Sequence, residues 1–373
     1  MMLNEAQSKT ILADAAVAVP VGRPVTGIVE LRAARVDFPV AMKALVSSGG
    51  RGKAGGVRRC GDLPEAERTF ETIMGLSFAG ERPRGVLIEP WLDIARELYL
   101  SVVVDGAAGG YIVLYAPEGG VEVESGPPPL RFPVGLPENF RAHAFRRALE
   151  SAEQDGAVRE RVVALARRLL RIARARDCLT IEINPLVLLG NGKLMAADAK
   201  IVVDEAAAFR NAQIAEGVSA VRLEASEDVR SGLDAGLMYI SLDGDIGLIS
   251  GGAGMTMAAM DALDAAGGAA ACFLDVSGVP NQAGFGAAFD ILDRDPRVRG
   301  ILVSMFGGGL QTDRVARTLN TVLDARRATK PVVIRLNGTR SDVATEVLQA
   351  AGRANHATLE AAVRRIVADV EAA

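Results

Sequence analysis

The segment SSGGRGKAGG, residues 47–56, combines the residue types that hold an anion. Its ten positions contain five glycines, two cations and two hydroxyls. Glycines let the backbone approach a phosphate and direct successive N–H groups at it, while Arg51 and Lys53 add charge-assisted hydrogen bonds. The segment is not a Walker A loop, because Lys53 is followed by Ala54 rather than by Ser or Thr. It predicts a phosphate-binding loop, with a flexible hairpin tip as the alternative.

Lys43 lies in the apolar run that precedes this loop, residues 38–46, which has the pattern of a buried strand. A buried lysine is costly unless it is paired with an opposite charge or binds an anion. A phosphate site at the end of the strand would account for both Lys43 and the loop. The alternative is an edge strand on which Lys43 faces water.

A second group of polar residues interrupts apolar strands in IEINPLVLLGNGKLMAADAK, residues 181–200. Glu182 and Asn184 are two positions apart, so their side chains share one face of a strand. Asp198 is predicted on the next strand of the same hairpin. Because Mg²⁺ typically takes one or two protein oxygens together with phosphate and water, Asn184 and Asp198 are predicted metal ligands. The alternative is a polar hairpin face with Lys200 as its counter-ion.

Periodicity and capping residues predict the elements of the first half. Residues 4–16 form a helix in which Asn4 and Gln7 make a capping box, and residues 62–74 form a helix with Pro64 in its first turn. Three β-rich runs follow: GVLIEPW, RELYLSVVVD and GYIVLYAP. After them come a Gly/Pro-rich loop at 124–140, an amphipathic helix at 159–176 and a hairpin at 178–203. The basic face of helix 159–176 is expected to face solvent, with nucleic-acid contact as the alternative.

The second half has a different order of predicted elements. Residues 205–235 are predicted as helix plus linker, and from residue 237 short apolar strands alternate with helices, which indicates an open parallel sheet. The domain boundary is therefore predicted near 225–236, giving domains 1–225 and 236–373. Glycine-rich turns at 250–256, 306–313 and 337–342 each precede a helix whose free N–H groups can bind an anion. Ordinary strand-to-helix turns are the alternative.

The composition and the apolar pattern argue against several classes of function. The chain has 373 residues with 42 basic and 46 acidic side chains, which argues against non-specific binding to DNA or anionic lipid. No apolar run approaches the ~20 residues of a membrane span, and the first residues lack the apolar core of a signal peptide. The three cysteines are far apart and are expected to be reduced thiols of a cytoplasmic protein.

Several motifs taken together resemble one family. GGRGKAGGV, DIARELYL, EGGVEVE, IEINPL, LDG…GGAG and FGG occur in the order found in the β subunit of succinyl-CoA synthetase (succinate–CoA ligase), an ATP-grasp acid–CoA ligase. The resemblance runs from LNEAQSK to the last helix. It implies an N-terminal ATP-grasp domain of α+β type, a C-terminal flavodoxin-like open-sheet domain, and a ligase that forms a carbon–sulfur bond together with an α subunit.

The resemblance also implies a site, with Mg²⁺, ATP or GTP, and CoA as cofactors. Phosphates would be held by Lys43, Gly50, Arg51 and Gly52; the adenine edge by the backbone of the hinge Glu89–Leu92; the ribose by Glu97; and Mg²⁺ by Asn184 and Asp198. Glu182 would lie near a phosphohistidine of the α subunit, which would also carry most of the CoA site. The acid's carboxylate would lie at the turns that contain Gly251, Gly308, Gly309 and Leu310.

The chain departs from the family pattern around the acid. It has Gly251 where the family has Asn, SGVPNQ at 277–282 where the family has three glycines, and Gly309-Leu310 where the family has Ile-Val. A preferred acid other than succinate is therefore expected; alternatives are a malate or other dicarboxylate ligase and a non-catalytic nucleotide-binding paralogue. His143 and His356 are the only histidines and lie outside these motifs, so the phosphorylated histidine is predicted on the α subunit.

Overall fold

The computed structural model describes residues 1–47, 51–52, 54–78, 81–120, 126–224, 227–278, 280–326 and 330–372. The chain divides into two compact units, Met1–Val218 and Ser219–Ala373. No described helix is both long and apolar enough to cross a bilayer.

The first unit begins with a small antiparallel sheet and the helices around it. Its elements are α1 (Glu5–Asp14), β1 (Arg23–Val25), α2 (Ile28–Ala33), β2 (Val40–Ala44), β3 (Val57–Cys60), α3 (Leu63–Met74) and β4 (Val86–Pro90). The strand order is β1-β4-β2-β3. The edge-strand alternative for Lys43 is therefore wrong, because β2 pairs on both sides and all five of its residues are buried.

Two predicted helix starts are confirmed. At α1, the Asn4 side chain accepts a hydrogen bond from the Gln7 backbone at 3.0 Å and the Gln7 side chain accepts one from the Asn4 backbone at 3.1 Å. This capping box satisfies two N–H groups that the helix cannot pair internally. At α3, Asp62 caps the helix and Pro64 stands in the first turn.

The rest of the first unit forms a larger antiparallel sheet covered by helices. Its elements are β5 (Ile94–Asp105), β6 (Gly110–Ala116), β7 (Leu130–Gly135), α4 (Ala142–Leu149), α5 (Gly156–Ala175), β8 (Cys178–Leu189), β9 (Leu194–Ala196) and β10 (Lys200–Val203). Helix α6 (Ala212–Glu224) begins in this unit and continues past its end at Val218. The order is β10-β8-β5-β6-β7, with β9 paired to β8. The predicted apolar stripe of α5 packs on this sheet, with Val162, Leu169 and Ile172 buried in the core and Leu165 partly buried against it.

Two predictions about this sheet are wrong. The Gly/Pro-rich stretch 124–140 is not all loop, because β7 pairs with β6 at the sheet edge, where a strand tolerates Pro133. The second arm of the hairpin is not one strand either. Asp198 lies in the break 197–199 between β9 and β10. Its neighbour Ala197 faces Pro185, which has no N–H to give to a continuous ladder.

The second unit is a doubly wound sheet. Its elements are α7 (Glu227–Asp234), β11 (Met238–Ser241), β12 (Ile246–Ser250), α8 (Ala253–Ala265), β13 (Ala270–Asp275), α9 (Gln282–Arg294), β14 (Gly300–Gly307), α10 (Thr312–Ala325), β15 (Val332–Gly338), α11 (Ser341–Ala350) and α12 (Leu359–Ala372). One face of the sheet packs on α8 and α12 and the other on α9, α10 and α11.

The predicted parallel sheet is confirmed for four strands and wrong for one. The order is β11-β13-β12-β14-β15, in which β13, β12, β14 and β15 are parallel and β11 is antiparallel at the edge. The connection from β11 to β12 spans only residues 242–245, too short for the crossover that parallel strands need. The carboxyl ends of the parallel strands carry the predicted glycine-rich turns.

Candidate active site

A cleft of about 490 Å³ in the first unit collects most of the residues that were predicted to do chemistry. Both sheets of the unit contribute to its lining, and its volume is typical of a small-molecule site. The predicted residues that line it are Lys43, Arg51, Gly52, Glu89, Leu92, Glu97, Glu182, Asn184 and Asp198. Gly50 and Lys53 lie outside the described residues.

Six charged side chains meet in and beneath this cleft, and we call them the ion cluster: Glu5, Lys9, Lys43, Arg51, Glu89 and Asp198. Three are cations and three are carboxylates, so their charges balance. Glu5 and Lys9 are four residues apart on α1 and therefore share a face of the helix. Glu89 on β4 is paired with Ala41, two residues from Lys43 on β2, so Lys43 and Glu89 share a face of the small sheet.

The two lysines of the ion cluster have all their donors occupied. The Lys43 Nζ atom lies 2.8 Å from Glu5 Oε1, 2.8 Å from Glu89 Oε2 and 2.6 Å from the Ala197 carbonyl oxygen. The Lys9 Nζ atom contacts the same three residues, at 2.7, 2.5 and 2.7 Å respectively. An ammonium group has three N–H donors. Lys43 is therefore paired, as a buried lysine must be. Its partners are the carboxylates of Glu5 and Glu89 rather than a bound anion.

Arg51 joins the two predicted halves of the site. Its Nη2 atom lies 2.8 and 2.9 Å from the two carboxylate oxygens of Asp198, and its Nη1 atom lies 2.8 Å from Glu5 Oε2. Nη1 also donates to the Ala44 carbonyl at 3.1 Å. Arg51, which was predicted to bind phosphate, thus forms an ion pair with Asp198, which was predicted to bind the metal.

The cluster shifts the proton affinities of its members. Burial by itself would raise the pKa of the Glu5 carboxyl, but the three neighbouring cations, led by Lys43, outweigh burial and lower that pKa from 4.5 to about 2. For Lys43 the balance has the opposite sense. Burial would lower its pKa, but the carboxylates of Glu5, Glu89 and Asp198 outweigh burial and raise that pKa. Both groups are charged at neutral pH.

The hinge Glu89–Leu92 presents backbone to the cleft. The Trp91 N–H donates to the Pro39 carbonyl at 3.0 Å, which fixes the chain direction after β4. Among the described residues, nothing hydrogen-bonds to the N–H or the carbonyl oxygen of Leu92. The Leu92 peptide groups are therefore open to a planar polar ligand such as a base edge.

Glu97 and Asn184 are linked through a glycine turn. The Gly119 N–H donates to the Glu97 carbonyl at 3.0 Å, and a Cβ on Gly120 would lie 2.5 Å from Glu97 Oε2. Asn184 Oδ1 accepts from the Gly120 N–H at 2.6 Å, and its Nδ2 donates to the Gly120 carbonyl at 3.2 Å. Asn184 therefore fixes this turn against β8, and the Gly119 bond fixes it against β5. Its amide oxygen has a second lone pair for another partner.

Glu182 and Lys200 stand opposite each other on β8 and β10. Both line the cleft, whereas their strand neighbours Ile181, Ile183 and Ile201 point into the core on the other face of the sheet. Tyr99 also lies within the electrostatic reach of Glu182. Burial and then this charge raise the pKa of the Tyr99 phenol.

The predicted acid-binding residues lie in the second unit, at the carboxyl edge of its sheet. Gly251 follows β12, and a Cβ at that position would lie 2.9 Å from the Met305 terminal methyl group. Gly308 and Gly309 follow β14 and are exposed, whereas Leu310 is half-buried. The Gly308 carbonyl accepts from the Thr339 hydroxyl at 2.9 Å, so the turns after β14 and β15 are joined.

A buried arginine that the sequence reasoning missed lies near these turns. Arg335 on β15 is only 9% exposed, and its register neighbours across the sheet are Ser304 and then Ser250. Its Nη1 atom contacts the Met255 sulfur at 3.3 Å. Within the part of the chain that the structure describes, its Nε atom has no hydrogen-bond partner and no carboxylate forms an ion pair with it; the Ser304 hydroxyl is unpartnered as well.

Sequence reasoning also missed Glu5 and Lys9. Their signal was present, because Lys9 is one of only six lysines and stands four residues after Glu5 on a predicted helix. For Arg335 the signal was a charged residue within the apolar strand PVVIRL, which is the same signal that identified Lys43. A charge inside an apolar element is informative wherever it occurs.

Comparisons with known proteins match the N-terminal and the C-terminal part of the chain to two different domain families. Residues 2–188 match the family model of the ATP-grasp domain, and residues 249–370 match that of the CoA-ligase domain. Succinate–CoA ligase [ADP-forming] β subunits from Halorubrum lacusprofundi and Chloroflexus aurantiacus are 34% and 35% identical, over 100% and 99% of this chain and 99% and 98% of theirs. The [GDP-forming] β subunit from Thermus thermophilus is 34% identical over 99% of both chains.

A solved structure matches the whole architecture. It is that of ATP citrate lyase from Methanothrix soehngenii in complex with citrate and coenzyme A, with a TM-score of 0.71 and 18% identity over 100% of this chain and 99% of that one. At this identity the likeness concerns the fold. The two domain models in their order and this likeness confirm the predicted fold class.

We expect the ion cluster to make stability depend on Glu5. The pKa of Glu5 is lowered in the fold, so its carboxylate stabilises the fold above pH 4.5, and that contribution is lost as the pH falls from 4.5 towards 2. Glu5→Gln should lower the free energy of unfolding of the first unit by about 3–5 kcal/mol at pH 7, because it leaves buried cations uncompensated. The difference from the wild type should shrink as the pH approaches 3.

Urea unfolding at pH 7 and at pH 3, followed by the fluorescence of the single tryptophan, Trp91, measures this difference in the first unit. Glu67→Gln is the control, because Glu67 pairs with Arg32 at 2.6 Å on an exposed surface and such pairs contribute little. An equal and pH-independent effect of the two substitutions would contradict the assignment.

Proposed function

Because the chain belongs to the family of succinate–CoA ligase β subunits, we propose that it is the nucleotide- and acid-binding β subunit of an acid–CoA ligase. An α subunit completes the enzyme, and Mg²⁺ with ATP or GTP drives formation of an acyl-CoA from a carboxylic acid and CoA. Residues 1–225 serve as the nucleotide-binding domain and residues 236–373 as the CoA-ligase domain. The observation that carries the proposal is the ion cluster, which lines a cleft beside open hinge backbone.

The base and ribose are assigned to the hinge side of the cleft. The open N–H and carbonyl of Leu92 can pair with the edge of a purine. The Glu97 carboxylate accepts no hydrogen bond from the described residues, so it is available to the ribose hydroxyls. Both assignments agree with the roles that the family resemblance implies for these residues.

The phosphates and the metal are assigned to the ion cluster, where they would replace the ion pair between Arg51 and Asp198. Asp198 now holds a guanidinium at both oxygens, which indicates that this carboxylate suits a cation. A metal–triphosphate complex brings both an anion for Arg51 and a cation for Asp198. Exchange of the Arg51–Asp198 pair for these two contacts leaves no buried charge uncompensated, whereas binding either partner alone would leave one.

The residues fit Mg²⁺ in particular. Asp198 and Asn184 supply oxygen donors on the cleft, and no group of three or more His, Cys, Asp or Glu residues in the described ranges is arranged to hold a metal. Mg²⁺ takes one or two protein oxygens and fills its other positions with phosphate oxygens and water. When bound, it neutralises charge on the phosphate oxygens. Lys43 and Arg51 add fixed positive charge beside them.

The reaction itself is a series of displacements that this chain positions. A histidine nitrogen of the α subunit attacks the γ-phosphorus, and the N–P bond forms as the P–O bond to the nucleoside diphosphate breaks. A carboxylate oxygen of the acid then takes the phosphoryl group, and the histidine is released. The CoA sulfur attacks the acyl carbon, phosphate leaves, and the thiol proton passes to solvent. Glu182 is assigned beside the phosphohistidine. Such steps depend on positioning and charge neutralisation.

The placement of the two histidines supports a nucleophile from a second chain. His143 is exposed on α4 and does not line the cleft. The His356 N–H donates to the Ile334 carbonyl in the second unit, and burial lowers the pKa of its imidazole. Neither histidine lies in a predicted site.

The acid is assigned to the carboxyl edge of the second sheet. Backbone N–H groups of the turns at Gly251 and 308–310 can meet one carboxylate. Arg335 supports this placement. It forms no ion pair with the described residues, a buried guanidinium without one is costly, and a substrate carboxylate would supply it. Gly251 lacks the amide that the family has at this position, which favours an acid other than succinate.

We expect the purified chain to bind Mg·ATP or Mg·GTP but to form neither phosphohistidine nor acyl-CoA by itself. Incubation with γ-labelled nucleotide, with and without an α subunit, should give an acid-labile and base-stable label on the α subunit only. His143→Ala and His356→Ala should leave that labelling unchanged. Label on this chain alone, abolished by either substitution, would overturn the two-subunit proposal.

The acid preference is open to a separate measurement. A lost hydrogen bond to a charged oxygen is worth ~1.5–3 kcal/mol, so succinate should bind about ten-fold or more weakly than the preferred acid. The reconstituted enzyme is assayed with a panel of C4 to C6 acids, including malate. Gly251→Asn should raise kcat/KM for succinate, since only the mobile end of Met305 stands in its way. If succinate is the best substrate of the wild type, the proposed preference for another acid is refuted.

A further inference from the structure

Among the described residues three cations line the cleft, and they differ in their partners. Lys43 and Arg51 belong to the ion cluster, where carboxylates neutralise them. Lys200 also lines the cleft but, among the described residues, makes no ion pair and no side-chain hydrogen bond. It is only half-buried, so water can reach its ammonium group when no ligand is bound.

Lys200 does not serve as a structural counter-ion of Glu182. The two residues are direct cross-strand neighbours, which is the arrangement in which opposite charges pair most readily. Within the described part of the chain no ion pair joins them. The ammonium is therefore available to an anion that enters the cleft, and a phosphate costs it no existing partner.

The register along β8 shows which part of a nucleotide would reach Lys200. Glu97, assigned to the ribose, is paired with Val187. Asn184, assigned to the metal, follows in the direction of the strand start, and Glu182 with its neighbour Lys200 lies beyond it. At ~3.3 Å per residue, Val187 and Glu182 are roughly 16 Å apart. Lys200 is thus on the far side of the metal ligand from the ribose.

We propose that Lys200 binds the terminal phosphoryl group of the nucleotide and neutralises the charge on its oxygens during transfer. This rests on the proposed function and goes beyond it, because it assigns a residue that neither the glycine loop nor the ion cluster contains. Lys43 and Arg51 can contact phosphate only by leaving carboxylates. Lys200 makes a contact that exists with a triphosphate and is lost with a diphosphate, which separates substrate from product.

The test compares two ligands on the same full-length chain. Binding of Mg²⁺ with a non-hydrolysable ATP analogue and of Mg·ADP is measured by calorimetry, or by the fluorescence of Trp91, which lines the cleft. Lys200→Met should weaken binding of the analogue by about ten-fold or more and leave Mg·ADP within about two-fold of the wild type. Lys200→Arg should restore much of the difference. The matched control is Lys193→Met, which changes an exposed lysine in the turn of the same hairpin.

With the α subunit present, Lys200→Met should lower the rate of its phosphorylation by about 10²–10³-fold, the loss typical of one fixed charge-stabilising group. The fall should be similar across the pH profile, whereas a role through Glu182 would displace the profile. Equal losses for analogue and Mg·ADP, or no loss for the analogue, would overturn the proposal. A wild-type chain that binds neither ligand would instead refute the proposed function.

Discussion

The structure of the nucleotide unit depends on the neutralisation of three buried cations by three carboxylates. Glu5 is central, because its two oxygens contact Lys9, Lys43 and Arg51 at 2.7–2.8 Å. It lies at the start of α1, one turn before Lys9, whereas the other four members come from the small sheet, the glycine loop and the large sheet. A buried charge without its partner costs several kcal/mol, so these elements must assemble together. Their assembly creates the cleft.

The backbone of the large sheet is arranged to serve this cluster. The strand break at residues 197–199 sets Asp198 toward Arg51 and lets the Ala197 carbonyl accept from two lysines. Across the break, Asn184 fixes Gly120 against β8, and a side chain on Gly120 would collide with Glu97 of β5. An uninterrupted hairpin would have paired these groups with one another. The interruption is what makes polar atoms available to a ligand.

The sequence predicted the residue types of the site better than their partners. Lys43, Arg51 and Asp198 could be found because a charge in an apolar strand or a glycine loop has few structural explanations. That Arg51 would hold Asp198 could not be predicted, since 147 residues separate them and the contact depends on tertiary packing. The strand in the stretch 124–140 was missed because its prolines and glycines indicate turns, and an edge strand tolerates them.

In the proposed exchange at Arg51 and Asp198, metal and phosphate replace each other's protein partners. The most direct measurement is the binding of Mn²⁺, as a paramagnetic substitute for Mg²⁺, by the loss of its free resonance signal. The wild-type chain should bind Mn²⁺ weakly by itself and at least ten-fold more tightly with ADP or ATP. Arg51→Gln should bind Mn²⁺ without nucleotide, because it frees Asp198, and Asp198→Asn should abolish that gain. Tight Mn²⁺ binding by the wild type alone, unchanged by Arg51→Gln, would show that no such exchange takes place.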